Sequence, residues 1–311
     1  MDAISSAIET IIQKKPNIIF KLDEPLKNYT TFKVGGPAGV LFFPETTADF
    51  VVILDILYEH EISPLIMGNG SNFLVSDEKL DLAVINTSKL SEIKMTVTDN
   101  SASPGFREIE VEAGVLLSKL AVFAYEKELT GLEFAHGIPG TVGGAIAMNA
   151  GAYGGEMKDV VTNVTVYNPK TGMLILDAEE IGFSYRHSRF SQTDEVVMSA
   201  RVRLRRGNFD RIKQKMDELS ARRRESQPLD LPSGGSTFKR PKEGYAAALI
   251  ENAGLKGFTI GGAQVSKKHS GFIINTGNAT FSDIMAVINH VQSEVYKQFG
   301  IKLELEVKIV R

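Results

Sequence analysis

The chain has 311 residues, 43% hydrophobic and 23% charged, the balance of a soluble globular protein with room for about two domains. Its net charge of −3 argues against nucleic acid as a partner, and no apolar run reaches the ~18 residues that a membrane span needs. There is no cysteine, which excludes disulfides, thiolate metal sites and cysteine nucleophiles, and with five scattered histidines no metal site is expected.

In chain order, the first signal is Ile4, Ala7, Ile8, Ile11 and Ile12, whose spacing predicts a helix over 2–14, closed before Pro16. The opening MDAISSAIETIIQKK does not resemble a secretory signal, and a cytoplasmic location is expected. The segment 28–39, NYTTFKVGGPAG, alternates and then turns at Gly35-Gly36-Pro37, and 40–43 reads as a strand. Phe50, Ile53, Leu54 and Leu57 form the stripe of a helix over 47–60, which leads to a short buried strand at Pro64-Leu65-Ile66. Strands are expected at 82–85 and 109–113, with a turn-rich tip at 97–104 between them. A helix over 118–128 follows, with Ser118 as its N-cap. Strands over 161–167, 173–177 and 196–204 make a mixed sheet, the first two joined by the turn Asn168-Pro169-Lys170-Thr171-Gly172. A charged amphipathic helix over 208–224 precedes a small-polar loop, PSGGSTFKRP, over 232–241. A helix over 245–252 with Gly254 as C-cap, strand and loop over 257–274, a helix over 282–299 and an alternating strand over 303–310 complete the chain.

Two glycine runs carry the functional signal. The stretch 136–156, HGIPGTVGGAIAMNAGAYGGE, has seven glycines in 21 residues and no lysine or arginine. Glycine lets a backbone approach a ligand with no Cβ in the way, and a row of bared N–H groups cradles an anion. Without a basic side chain in the run, main-chain dipoles would hold that anion, as for a cofactor diphosphate; an ordinary turn needs fewer glycines. The second run, MGNGSNFLVSD over 67–77, starts like a dinucleotide fingerprint. Phe73 replaces its third glycine and no helical repeat follows, which argues against a Rossmann unit. Two such loops favour a dinucleotide cofactor in another fold.

Three residues stand out by type and context. Arg186, in FSYRHSRF, has the fixed fork that clamps a carboxylate through two hydrogen bonds, although a solvated surface arginine fits the same letters. Ser236 follows the pair Gly234-Gly235 without the Gly-x-Ser-x-Gly elbow of a hydrolase; its hydroxyl either donates a proton to a strongly basic carbon or stabilises a turn. Glu306 lies on the polar face of the last strand with Glu304 and Lys308, a face that is ordinarily solvated.

Taken together, NYTTFKVGGPA, GNGSNFLVSD, GLEFAHGIPGTVGGAIAMNAGAYGGE, SYRHS, SGGSTFKRP, AGLKGFTIGGAQVSKKHSGFIIN and LELEVKIV resemble the UDP-N-acetylenolpyruvoylglucosamine reductases over 28–310. The short third domain and the run of GAY into Gly154-Gly155 resemble their compact second subtype. Leu305 stands where the family often has proline, and the final glycine-containing end is missing.

The resemblance implies a mixed α/β (α+β) flavoprotein with the two-subdomain FAD-binding fold of the vanillyl-alcohol-oxidase type and a C-terminal α/β substrate domain. The expected division is an N-terminal helical arm over 1–27, FAD subdomains over 28–95 and 96–206, and the substrate domain over 207–311. Non-covalent FAD is expected on Gly68, Asn69, Gly70, Ser71 and Asn72, and on Gly137, Ile138, Pro139, Gly140, Thr141, Gly143, Gly144, Asn149 and Gly151. The implied reaction reduces UDP-N-acetylglucosamine enolpyruvate with NADPH as co-substrate, in peptidoglycan synthesis. Arg186 and Glu306 would polarise the substrate carboxylate, and Ser236 would supply the proton. Tyr185, Arg224, Lys239 and Lys267 are candidates for holding the rest of the substrate. A monomer without nucleic-acid or membrane partners is favoured.

Two other readings stay open on the residues. One is a flavin oxidase of an alcohol or sugar on the same fold, in which His136 offers a point of covalent attachment. The other is a nucleotide-sugar binding protein without flavin.

Overall fold

Amphipathic repeats set the long helices in the computed structural model, which describes residues 3–96 and 105–311; the tip expected at 97–104 lies outside them. Contacts divide the chain into two compact units. The first comprises Met1–Leu22, Val40–Asn69 and Leu82–Ala221; the second comprises Asp23–Gly39, Gly70–Asp81 and Arg222–Arg311. The chain passes between them at 22/23, 39/40, 69/70, 81/82 and 221/222, so neither unit is contiguous in sequence. The contiguous boundaries at 27/28, 95/96 and 206/207 do not coincide with these edges.

The first unit has two cores. One gathers Ala7 and Ile11 of helix Ala3–Lys14 and Phe50, Ile53, Leu54 and Leu57 of helix Thr47–Glu59 onto Val40, Phe42 and Ile85. These residues belong to a four-stranded sheet ordered Ile19–Pro25, Pro37–Phe43, Leu80–Asn86, Leu65–Met67. Its last two strands pair in parallel, Leu65 against Val84. The first strand, Ile19–Pro25, has no counterpart in the sequence reading because its residues are mostly exposed and show no apolar alternation.

The second core lies on a larger sheet that is antiparallel, not mixed, among the described residues: Val161–Asn168 with Gly172–Asp177 and Val196–Arg206, the latter with Phe106–Glu112 and Leu129–Thr130, and Ile93–Thr96 with Phe106–Glu112. Its β-branched residues Val161, Val164, Val166, Val197 and Val202 pack on one side, as pleated surfaces favour. The expected turn closes the first hairpin, with Gly172 at φ 76° opposite Asn168. Tyr167 joins the two cores: its hydroxyl meets Asp55 Oδ1 of helix Thr47–Glu59 at 2.5 Å. Burial, then that bond and the carboxylate's charge, push the phenol up to about 12. Helix Leu117–Glu126 starts one residue before Ser118 and lacks a side-chain cap. Its beginning is instead fixed by the Leu117 N–H, which donates to the Gly140 carbonyl at 3.0 Å.

The second unit packs helix Phe281–Phe299, through Ile284, Val287, Ile288, Val291 and Val295, on strands Ala263–Val265 and Phe272–Asn275. Thr280 and Asp283 form a capping box at its start, and Gly300 ends it at φ 70°. The segment expected as a loop at 232–241 instead contributes strand Ser233–Ser236 to this unit's sheet, ordered Ser233–Ser236, Phe272–Asn275, Ala263–Val265, Thr259–Ile260. The last strand is shorter than the alternation suggests: only Lys308–Val310 pairs continuously, in parallel with Phe73–Val75.

Candidate functional site

In the first unit the two glycine runs meet. A Cβ on Gly68 would strike the Thr141 hydroxyl, so no larger residue fits there without moving the 136–156 run. Asn69 Nδ2 donates to the Pro139 carbonyl at 2.6 Å, and Asn86 Nδ2 to the Gly68 carbonyl at 3.2 Å. Two loops about 70 residues apart in sequence are thereby fixed against each other through backbone and amide groups.

The long run is not a bare loop throughout. Val142–Ala147 forms a short helix inside it, and many of its amides are already used. Ile138, Val142, Gly143, Ala145, Met148, Asn149 and Ala150 all donate to backbone carbonyls. The Gly143 N–H reaches the Ala113 carbonyl at 2.8 Å, and a Cβ there would lie 2.9 Å from the Ala113 Cβ. Gly143 is therefore a packing glycine with a committed N–H. At Gly144 an added Cβ would meet only ordinary contact, with Thr141 Oγ1 at 3.7 Å. Thr141 is buried and makes no capping bond to the helix it precedes. Asn149 is wholly buried, with its side-chain amide fully bonded and its own N–H given to the Ile146 carbonyl at 3.1 Å.

Arg186 occupies a two-residue turn in the same unit. Ser184 and His187 exchange backbone hydrogen bonds at 3.0 and 3.2 Å, and Arg186 sits in the left-handed region at φ 52°. Its Nη2 donates to the Gly151 carbonyl at 3.3 Å, and its guanidinium carbon lies 5.2 Å from the exposed Tyr185 ring. The loop is anchored on its far side by Ser188, whose hydroxyl donates to the Ala147 carbonyl at 2.9 Å, and by a two-pronged Arg189–Glu195 ion pair at 2.8 and 2.9 Å. His136 is engaged as well, its Nδ1 lying 3.1 Å from Ser220 Oγ.

The second unit brings Ser236 and Glu306 together. Strand Ser233–Ser236 pairs Ser233 with Ile274 and Ser236 with Phe272, so it carries an extra residue against its partner. Such a bulge bends a strand and re-aims a side chain. Gly235 supplies it at φ 77°, and a Cβ on Gly234 would strike the Phe32 ring. The glycine pair before Ser236 is therefore the means of aiming that serine. The next residue, Thr237, is completely buried; its N–H donates to the Gly271 carbonyl at 2.9 Å, and its own carbonyl accepts the Glu306 N–H at 2.9 Å. On the other side, Asn72 Nδ2 donates to the Glu306 carbonyl at 3.0 Å, and the Lys308 N–H donates to the Asn72 carbonyl at 2.8 Å. The backbone of Glu306 is thus held at both its N–H and its C=O.

The rest of the 67–77 run belongs to the second unit. Gly70, at φ 59°, abuts the Tyr29 carbonyl, where a Cβ would clash; Ser71 is half-buried beside it. Among the proposed substrate residues, the Arg224 carbonyl accepts Lys268 Nζ at 2.5 Å, which brings Arg224 to the loop containing Lys267. Lys267 lays its stem across Gly257. Lys239 pairs with Glu304 at 3.4 Å on an exposed edge. Residue-type reasoning missed Thr237, Asn275 and Ser188, because nothing in the sequence marks a buried hydroxyl or amide that ties backbones together. Asn275 shows the same pattern: it is buried, donates to the Phe32 carbonyl at 3.0 Å and accepts from Gly277 and Ala279.

Comparison with known proteins adds the chemistry. Residues 38–176 match a family model described as an FAD binding domain, and residues 227–310 one described as the C-terminal domain of UDP-N-acetylenolpyruvoylglucosamine reductase. The chain is 50% identical to the UDP-N-acetylenolpyruvoylglucosamine reductase of Caldanaerobacter subterraneus subsp. tengcongensis, over 93% of each protein. It is 47% identical to that of Limosilactobacillus reuteri, over 96% of this chain and 98% of the relative. The crystal structure of the Thermus caldophilus reductase superposes with a TM-score of 0.78 at 34% identity, covering 95% of this chain and 99% of that one. The mixed α/β, FAD-binding fold expected from the sequence is borne out. No helix among the described residues is long and apolar enough to cross a membrane.

Proposed function

The chain belongs to the UDP-N-acetylenolpyruvoylglucosamine reductases, and on that premise we infer that it reduces the enolpyruvyl ether of UDP-N-acetylglucosamine to UDP-N-acetylmuramate with NADPH. The FAD expected on the 38–176 domain would, when bound, supply the hydride-transfer chemistry between NADPH and the terminal methylene carbon of the enolpyruvyl group. The backbone of Gly68 and Asn69 and of 137–144 would hold its diphosphate.

As the methylene carbon gains hydride, negative charge grows on the neighbouring carbon and its carboxylate. Arg186 and Glu306 polarise that carboxylate and steady the growing charge; preorganised charge of this kind is commonly the largest catalytic contribution. Ser236 Oγ–H donates the proton that completes the saturated lactyl ether. Tyr185, Arg224, Lys239 and Lys267 steady the nucleotide-sugar end. The protein works as a cytoplasmic monomer.

The observation that carries this reading is the bulge that aims Ser236 one residue before the carbonyl bonded to Glu306. The test is NADPH oxidation that depends on the enolpyruvyl nucleotide sugar, with a product that has gained one hydride and one proton. Oxidation of alcohols or sugars by oxygen, without reduction of the enolpyruvyl compound, would replace the reading with the oxidase alternative.

A further inference from the structure

Arg186 stands at the tip of a two-residue turn, in a left-handed backbone conformation that costs a non-glycine residue roughly 1 kcal/mol or more. Such a turn has little of its own to hold it at one angle. Its upstream anchor is Asn149, 35 residues before Ser184.

Asn149 is itself left-handed, at φ 41°, and fully buried. One hydrogen of its side-chain amide goes to the Ser184 carbonyl, the first residue of the turn, at 3.0 Å. The other goes to Glu156 Oε2 at 2.7 Å, and its oxygen accepts the Lys158 N–H at 3.0 Å. Glu156 is fixed in turn by Lys158 Nζ at 3.1 Å and by its place in the capping box of the 3-10 turn Met157–Asp159. A continuous chain of polar contacts therefore runs from 156–159 through one amide to the residue that starts the arginine turn. The Arg186 guanidinium returns to the same segment at the Gly151 carbonyl, two residues beyond Asn149.

A side chain that only filled this space would need no donors. Here both donors are used on opposite sides, and an unmet donor or acceptor in a buried position is costly. We propose that Asn149 is a positioning residue for Arg186: its amide sets the turn so that the guanidinium meets the substrate carboxylate. The proposal rests on the reading of Arg186 as that clamp.

The test separates the two arms of the amide. Asn149→Asp keeps the acceptor for Lys158 and loses both donors, placing a carboxylate against Glu156. Combining it with Glu156→Gln restores an amide–carboxylate pair with donor and acceptor exchanged, and leaves the Ser184 carbonyl without its donor. The measurements on FAD-loaded protein are flavin reduction by NADPH and flavin reoxidation by the enolpyruvyl substrate, each in stopped flow at saturation. Thermal midpoint and flavin affinity are read on the same variants.

Asn149→Asp is expected to slow reoxidation by about tenfold or more and to lower the midpoint. The double variant is expected to recover the midpoint while reoxidation stays slow, its loss in reoxidation far exceeding any loss in reduction by NADPH. Recovery of both stability and reoxidation in the double variant would overturn the proposal, since Asn149 would then be structural only. Arg186→Lys is the companion measurement: parental reoxidation in it overturns the clamp reading and the proposal together. Slow reoxidation in Arg186→Lys with a fast double variant overturns the positioning role alone. If both aspartate-bearing variants fail to fold, Ser188→Ala decides by loosening the other flank of the same loop. A selective loss of reoxidation supports the proposal, and parental reoxidation overturns it.

Discussion

The turn that carries Arg186 and the bulged strand that carries Ser236 are both a few residues long, yet they are held by different means. Around Arg186 the anchors are side chains: Asn149 on Ser184, Ser188 on Ala147, and Glu195 on Arg189. Around Ser236 they are mostly backbone: the pairing with Phe272, the Thr237 amide on Gly271, and the Glu306 amide on Thr237. A residue on a turn must borrow its rigidity from buried polar side chains, whereas one on a strand inherits it from the ladder. The first arrangement is sensitive to conservative substitutions of its neighbours; the second is sensitive mainly to the glycines that shape the bulge.

The largest expected effect is at the reacting atoms. Ser236→Ala removes the proton donor and should slow flavin reoxidation by substrate by roughly 10²–10⁴-fold, while flavin reduction by NADPH is spared. Gly235→Val comes next. It forces a β-branched residue into φ 77° and should flatten the bulge, costing about 1–3 kcal/mol of strain and displacing Ser236. Substrate turnover should fall well before the thermal midpoint does; equal loss of both would mean that the bulge serves stability alone.

Smaller effects test whether the first unit depends on its buried polar ties. Tyr167→Phe leaves Asp55 without its hydroxyl donor and should cost about 1–2 kcal/mol, read as a lower thermal midpoint with unchanged half-reaction rates. The smallest effect lies in the second unit. Burial holds His269 below its ordinary value of 6.5, and its neutral Nδ1 accepts the Gly271 N–H at 3.2 Å. Because the folded value is the depressed one, this contributes stability that is present above about pH 6.5 and is lost as pH falls through the folded value. His269→Asn, which keeps an acceptor but does not titrate there, should flatten the midpoint-versus-pH curve below pH 6.5; an unchanged slope would assign it to other groups.

Much of the fold was readable from periodicity. Phe50, Ile53, Leu54 and Leu57, and later Ile284, Val287, Ile288, Val291 and Val295, repeat at helical spacing and end up buried. The turn at Asn168–Gly172 carried its own chemistry in proline and glycine. Strand Ser233–Ser236 was hidden because glycine and serine have little strand propensity, and only tertiary pairing makes them extended. Strand Ile19–Pro25 was hidden because its side chains are mostly exposed. At the site, glycines signal close approach, and the meeting of Gly68 with Thr141 fits that signal. Sequence could not tell a bared amide from a committed one: Gly143 reads as part of a ligand cradle, yet it spends its N–H on the Ala113 carbonyl and packs against the Ala113 side chain. Nor could it tell that the Asn149 side chain faces protein on all sides, since an asparagine among glycines reads equally as ligand and as staple.

The central claim is that Arg186, in one unit, and Ser236, in the other, act on one substrate in the same step. A double-mutant cycle on flavin reoxidation, with Arg186→Ala, Ser236→Ala and both together, tests it most directly. Residues that act as a unit lose function non-additively. The account predicts that the double variant is little slower than the worse single variant, with reduction by NADPH at the parental rate in all three. Losses that simply multiply, or that fall equally on both half-reactions, would contradict it.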